Sequence, residues 1–229
     1  VLIAVLVAFD GRLVAPVLLA LAVTVAVAGR HSVVARWAAI GFTGVGSLML
    51  QFYAPIFTLF EATPLPARIA LPVLASAVLL AGCAVLSARS APVADEDQRS
   101  LCWGIAAAVC IYAVTLFTVT AGVLIAGVDG GFLAGQMAAT ICWIVMAAAL
   151  FAVAQNRRRE DRAAPILGGL ALTAAATTKL FLFDLGTLDG MFRVVAFIVV
   201  GLVLLGMGAG YARSLAGRGM REPSRVGPV

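Results

Sequence analysis

Charge is what this sequence has least of. Only 12% of its 229 residues are Asp, Glu, Lys or Arg, where soluble domains carry about a quarter. Lysine occurs once, at Lys179, and histidine once, at His31. The four cysteines (Cys83, Cys102, Cys110 and Cys142) lie in apolar runs with no CxxC spacing, so burial is expected rather than a disulfide. No cluster of His, Cys and carboxylate has metal-ligand spacing, and no catalytic residue, metal or cofactor is expected. Ser and Thr are scattered without a nearby base, which gives no support to a soluble-type hydrolase. A basic n-region is also missing before the opening VLIAVLVAF, so that run is not read as a signal peptide. It reads as the end of a helix that starts upstream, and a longer protein is expected.

What remains is apolar. Hydrophobic residues make up 63% of the chain, mean hydropathy is +1.09, and runs of about twenty apolar residues recur. The expected fold is all-α: a polytopic transmembrane helix bundle of about seven complete spans plus an N-terminal helix stub. The spans are expected at 13–28, 33–60, 69–88, 101–128, 132–155, 163–183 and 194–212, making 1–212 one transmembrane domain. Pro55 is expected to kink or end its helix, and Asp129-Gly130-Gly131 to turn the chain. Residues 213–229 form a basic tail that reads as disordered.

Basic residues set the orientation. With the Arg157–Arg162 turn cytoplasmic, twelve of the sixteen basic residues fall on that side, together with the C-terminus. This predicts a multi-pass membrane protein with a cytoplasmic C-terminus. Asp10, Glu61, Asp129, Asp184 and Asp189 then face outward. The clustered arginines read as topology signals and headgroup contacts, not a nucleic-acid surface. The expected partners are the lipid bilayer and other membrane-protein segments.

Ionised groups in a bilayer concentrate at interfaces, cavities or partners. The most informative stretch is therefore KLFLFDLGTLDGMFR, from Lys179 to Arg193. Lys179, Asp184, Asp189 and Arg193 are the candidate interfacial charge network or ligand-binding group, expected to converge. Gln51, Glu61, Arg68 and Gln136 are further polar candidates. A shift of 128 residues sets Gly41 on Gly169, Gln51 on Lys179 and Glu61 on Asp189, the pattern of a possible parallel repeat. Gly206-Met-Gly-Ala-Gly210 lacks the strand context of a dinucleotide loop and suits close helix packing instead.

The stretch Lys179 to Leu185, the following Arg193, the glycine-rich run Gly201 to Gly206 and Tyr211 together resemble the C-terminal end of a bacterial family of predicted membrane proteins, domain-of-unknown-function family 2339. Gly168-Gly169 and the preceding arginine turn match the same pattern. The resemblance is specific over about residues 135 to 213 and compositional before that. It implies a long polytopic protein of the bacterial inner membrane and brings no established activity.

Three functional classes follow, in order. An integral membrane scaffold or accessory subunit in cell-envelope assembly or transport needs little polar chemistry inside the bundle and fits best. A transporter or lipid flippase needs polar groups at depth, for which Gln51, Gln136, Lys179 and the breaks at Pro55 and Pro72 are candidates. A membrane glycosyltransferase using a polyprenyl-linked donor needs outer carboxylates, and here the outer loops are short.

Overall fold

The computed structural model describes residues 11–29, 32–64, 66–90, 96–156, 162–181 and 191–219. Its elements are α1 (Gly11–Ala28), α2 (Val33–Tyr53), a 3-10 turn (Ile56–Leu59), α3 (Ala67–Ser90), α4 (Glu96–Asn156), α5 (Ala163–Lys179) and α6 (Met191–Gly219). Among the described residues every regular element is helical. Contacts divide the chain into two units, Val1–Ala139 and Thr140–Val229.

Local chemistry sets the helix ends. Ser32 caps α2 with an extended backbone, its Oγ accepting from Ala35 N–H at 3.4 Å. The helix stops at Tyr53 because Pro55 follows, and the residue before a proline is pushed out of the helical region; Ala54 has φ −136° and ψ 73°. The second span is thus a 21-residue helix followed by a 3-10 turn, not one helix over 33–60. Pro72 sits inside α3, and Ser76 Oγ donates to its carbonyl at 2.8 Å.

In the first unit α1, α2 and α3 pack on one another around Leu18, Leu19, Leu50 and Val73, all buried. A Cβ on Gly46 would lie 3.0 Å from Leu19 Cγ, so the glycine lets α1 and α2 close on each other.

Among the described residues four helices are long and apolar enough to cross a bilayer: Gly11–Ala28, Val33–Tyr53, Ala67–Ser90 and the 60-residue run Asp97–Asn156. A straight helix of that last length would reach about 90 Å, three times a hydrocarbon core. It does not run straight. Gly127 has φ 79° and ψ −174°, and the two arms on either side fold back as a hairpin. A Cβ on Gly135 would lie 2.7 Å from both Thr118 O and Val119 Cα, and one on Gly122 would strike Gly131 O. Residues 118 and 135 would be about 25 Å apart in a continuous helix.

The hairpin corrects the expected turn at Asp129-Gly130-Gly131, since those residues are helical and Gly127 makes the reversal. Its dihedrals fall in a region essentially restricted to glycine, whereas Gly131 serves the contact between arms. We expect Gly127→Ala to destabilise by about 1–2 kcal/mol, the lower part of the range for backbone strain, because its Cβ would meet nothing within 4 Å. Denaturant unfolding in mild detergent checks this; an unchanged midpoint would mean the reversal needs no positive φ.

The seven expected spans are met only in part. α5 has 17 residues, and the described apolar part of α6 is Phe197–Ala209. α6 itself runs on to Gly219, beyond the expected start of a disordered tail at 213. The N-terminal stub lies outside the described residues.

Candidate functional site

Wherever a helix breaks inside a membrane, freed backbone groups need partners from the protein itself. The break after Tyr53 is served by two of the polar candidates. Gln51 Oε1 accepts from Ile56 N–H at 3.0 Å, and Gln51 Nε2 donates to the Tyr112 hydroxyl at 2.9 Å. From the second arm of α4, Gln136 Nε2 donates to Leu59 O. Gln136 is 2% exposed. The two glutamines therefore brace the two ends of the 3-10 turn, and one of them is itself held by Tyr112. Glu61 and Arg68 are exposed, the first on the loop after this turn and the second in the first turn of α3.

Replacing Gln136 by Leu leaves Leu59 O short of a donor in a buried place. Membrane interhelical hydrogen bonds contribute about 0.6–1.7 kcal/mol, so a loss of about 1 kcal/mol is expected. Proteolysis in the loop 60–66 should accelerate in parallel; unchanged cleavage would show that the turn holds without the brace.

In the second unit, Lys179 closes α5 and donates from Nζ to Thr140 Oγ1 at 2.8 Å. Thr140 is fully buried. This partner is a hydroxyl one helix away. Asp184 and Asp189 lie outside the described residues, as does the side chain of Arg193, whose backbone belongs to α6. The helices on either side of that stretch meet through Phe181 and Phe197, whose rings stack edge-on with centroids 6.1 Å apart.

The scattered hydroxyls mostly bond to their own helices. Thr43, Ser47, Thr115, Thr173 and Thr177 each donate to the carbonyl four residues back at 2.7–2.8 Å. Near their C-terminal ends two helices are met by arginine: Arg36 Nη1 donates to Ser90 O at 3.1 Å, and Arg162 Nη2 to Gln155 O at 3.2 Å. A cation at a helix C-terminus is favoured by the helix dipole.

The positions paired by the 128-residue shift behave unequally. Gln51 and Lys179 each donate to a hydroxyl on another helix, but Gly41 faces open space while Gly169 packs on the Phe151 ring.

Among the described residues two cavities bear on the site. One, lined by Arg12, Leu50, Tyr53, Pro72 and Ser76 among others, holds about 10 Å³, at most a single water. The other is an open groove of about 250 Å³ along Phe151, Gln155 and Gly206. Neither is lined by a carboxylate. Among the described residues no group of His, Cys, Asp and Glu could hold a metal ion.

Sequence reasoning missed Tyr112 and Thr140. Each is one more hydroxyl in an apolar helix, and only the packing of a second helix gives it a partner.

The run of apolar helices, the lysine-ended α5 and the glycine-bearing last helix agree with a family model described as "Predicted membrane protein (DUF2339)", which matches residues 3–213. The chain belongs to the DUF2339 family. The DUF2339 match reaches far beyond 135–213 and takes in the first three helices and the hairpin, where the resemblance had been compositional. No curated protein and no solved structure matches the chain.

Proposed function

We propose that this DUF2339 chain is an integral membrane scaffold or accessory subunit serving envelope assembly or transport. It sits in the bacterial inner membrane with seven spans and a cytoplasmic C-terminus, against other membrane-protein segments. The observation that carries the reading is how its intramembrane polar groups are used. Gln51, Gln136 and Lys179, the side chains a transporter would turn toward substrate, make contacts that brace a broken helix or join two helices. Among the described residues, the two cavities are lined by no carboxylate, which also favours packing over chemistry.

The Pro55 break favours a second reading, a transporter or lipid flippase, because interrupted helices commonly frame transport sites. Purified protein reconstituted into vesicles containing fluorescent phospholipid separates the two. The scaffold reading expects no lipid movement above protein-free vesicles, and recovery of a stoichiometric membrane partner by affinity isolation from native membranes. Scrambling of the fluorescent lipid would overturn it in favour of the flippase.

A further inference from the structure

The apolar character of the chain outlasts α2. The helix stops at Tyr53, yet residues 54–60 carry no charge, and Glu61 is the first charged side chain after the break. Ile56, Phe57 and Phe60 are 47%, 69% and 64% exposed. Contiguous exposed apolar groups of this size mark a contact with lipid or protein. Ala54 and Leu59 are buried, so the segment has an anchored side and an open side. Its backbone is closed along most of its length. Ala54 N–H donates to Leu50 O at 2.8 Å, Thr58 N–H to Pro55 O at 2.9 Å and Phe60 N–H to Phe57 O at 2.9 Å. Gln51 and Gln136 serve Ile56 N–H and Leu59 O, and Thr58 Oγ1 donates to Pro55 O at 2.8 Å.

The partners on α4 measure how deep this segment lies. Between Arg99 and Asp129 that helix carries no charged residue. From Arg99 to the reversal at Gly127 its first arm rises about 42 Å, the thickness of a bilayer with its headgroups. The reversal therefore stands about 6 Å outside the hydrocarbon. Gln136 follows Gly127 by nine residues. That is about 13 Å along the second arm, and the side chain leans back toward the reversal, which leaves Leu59 O about 10 Å below it. Tyr112 precedes Gly127 by fifteen residues, about 22 Å, and leans the other way. Bonds of 2.9 and 3.0 Å through the Gln51 amide tie Ile56 N–H to the Tyr112 hydroxyl, so Ile56 also lies more than about 10 Å below the reversal. Tyr53 agrees, since it shares a small cavity with Ile69 and Pro72, past the start of α3 at Ala67. Non-helical backbone at such depth is tolerated where the protein closes its polar groups, as it does here. The open side carries no glycine for a close-packed helix and no charge for a polar partner, which suits lipid chains. We infer that residues 54–60 form a re-entrant segment in the hydrocarbon of the Asp129-side leaflet, with Ile56, Phe57 and Phe60 against acyl chains.

Nitroxide labels read this depth on the full chain in phosphatidylcholine vesicles, with Cys83, Cys102, Cys110 and Cys142 replaced by alanine. Labels are placed in turn at Phe57→Cys and at Asp129→Cys beside the reversal, and collisions with oxygen and with a polar nickel chelate are compared. Hydrocarbon excludes the polar reagent, so the oxygen-to-nickel ratio at Phe57→Cys should exceed that at Asp129→Cys by at least about ten-fold. Equal ratios at the two positions would put the segment in water and overturn the inference. So would few collisions with either reagent at Phe57→Cys, which would put a second copy of the chain or another protein segment over the turn. If the cysteine-free chain does not fold, Phe57→Trp in the otherwise unchanged protein carries the same expectation. Its added emission should be quenched by lipids brominated on the acyl chain and not by aqueous iodide; any other pattern would overturn the inference.

Discussion

Gly135→Val should unfold the α4 hairpin, at a cost above about 3 kcal/mol. Overpacking usually costs about 1–3 kcal/mol and occasionally more, and that range assumes neighbouring side chains can give way. Here the neighbours are backbone. A Cβ at 135 would lie 2.7 Å from Thr118 O and from Val119 Cα, so a whole helix arm must move outward. Gly131 and Gly122 face each other under the same constraint, and moving the arms apart would open those contacts as well. Gly104 lies on the first arm with nothing within 4 Å of its would-be Cβ. Gly104→Ala should therefore be neutral or stabilising by up to about 1 kcal/mol, the helix-propensity difference. Denaturant titration in mild detergent reads both variants. A Gly135→Val midpoint equal to that of Gly104→Ala would show that the arms do not pack through these glycines.

Thr140→Val should be more damaging than Lys179→Met, although the lysine carries the charge. Valine preserves the shape of threonine and removes the acceptor, leaving the Lys179 ammonium without the hydroxyl it donates to at 2.8 Å. Hydrogen bonds to charged groups contribute about 1.5–3 kcal/mol, and Thr140→Val is expected to lose about 2 kcal/mol. Lys179→Met removes charge and donor together, and the Thr140 hydroxyl can turn back to a carbonyl of its own helix. Its expected loss is about 1 kcal/mol. The double variant should cost less than the sum of the two single losses, since the shared hydrogen bond is then counted only once. A double-mutant cycle measures the coupling directly. Strict additivity would mean that the two side chains do not interact, and the joining role given to Lys179 would fall.

The apolar runs were legible because a bilayer imposes one simple condition: about twenty apolar residues with their backbone bonds closed inside the segment. Gly11–Ala28, Val33–Tyr53 and Ala67–Ser90 therefore sit where hydropathy places them. Pro55 announced its own break, since the missing donor and the restriction on the preceding residue are local effects. The resemblance carried by Lys179 to Arg193 was equally readable, and the family model extends it over residues 3–213.

The candidate site was legible only as a set of residue types. Gln51, Gln136 and Lys179 stood out because polar groups in apolar helices are rare. Their roles depend on what stands opposite. Tyr112 is 61 residues from Gln51, Leu59 is 77 from Gln136 and Thr140 is 39 from Lys179. No local pattern encodes those distances.

The α4 glycines show the same division at a single turn. The sequence by itself placed a reversal at Asp129-Gly130-Gly131, close to Gly127 where it falls, because two apolar runs meet there. Tertiary structure decided which glycine turns and which packs. A positive φ is a property of one residue's backbone, whereas the need for no Cβ at Gly131 and Gly135 arises only when a second helix arm lies against them. Hydropathy and proline act along the chain and can be read from it, while acceptors, braces and close approaches exist only between helices.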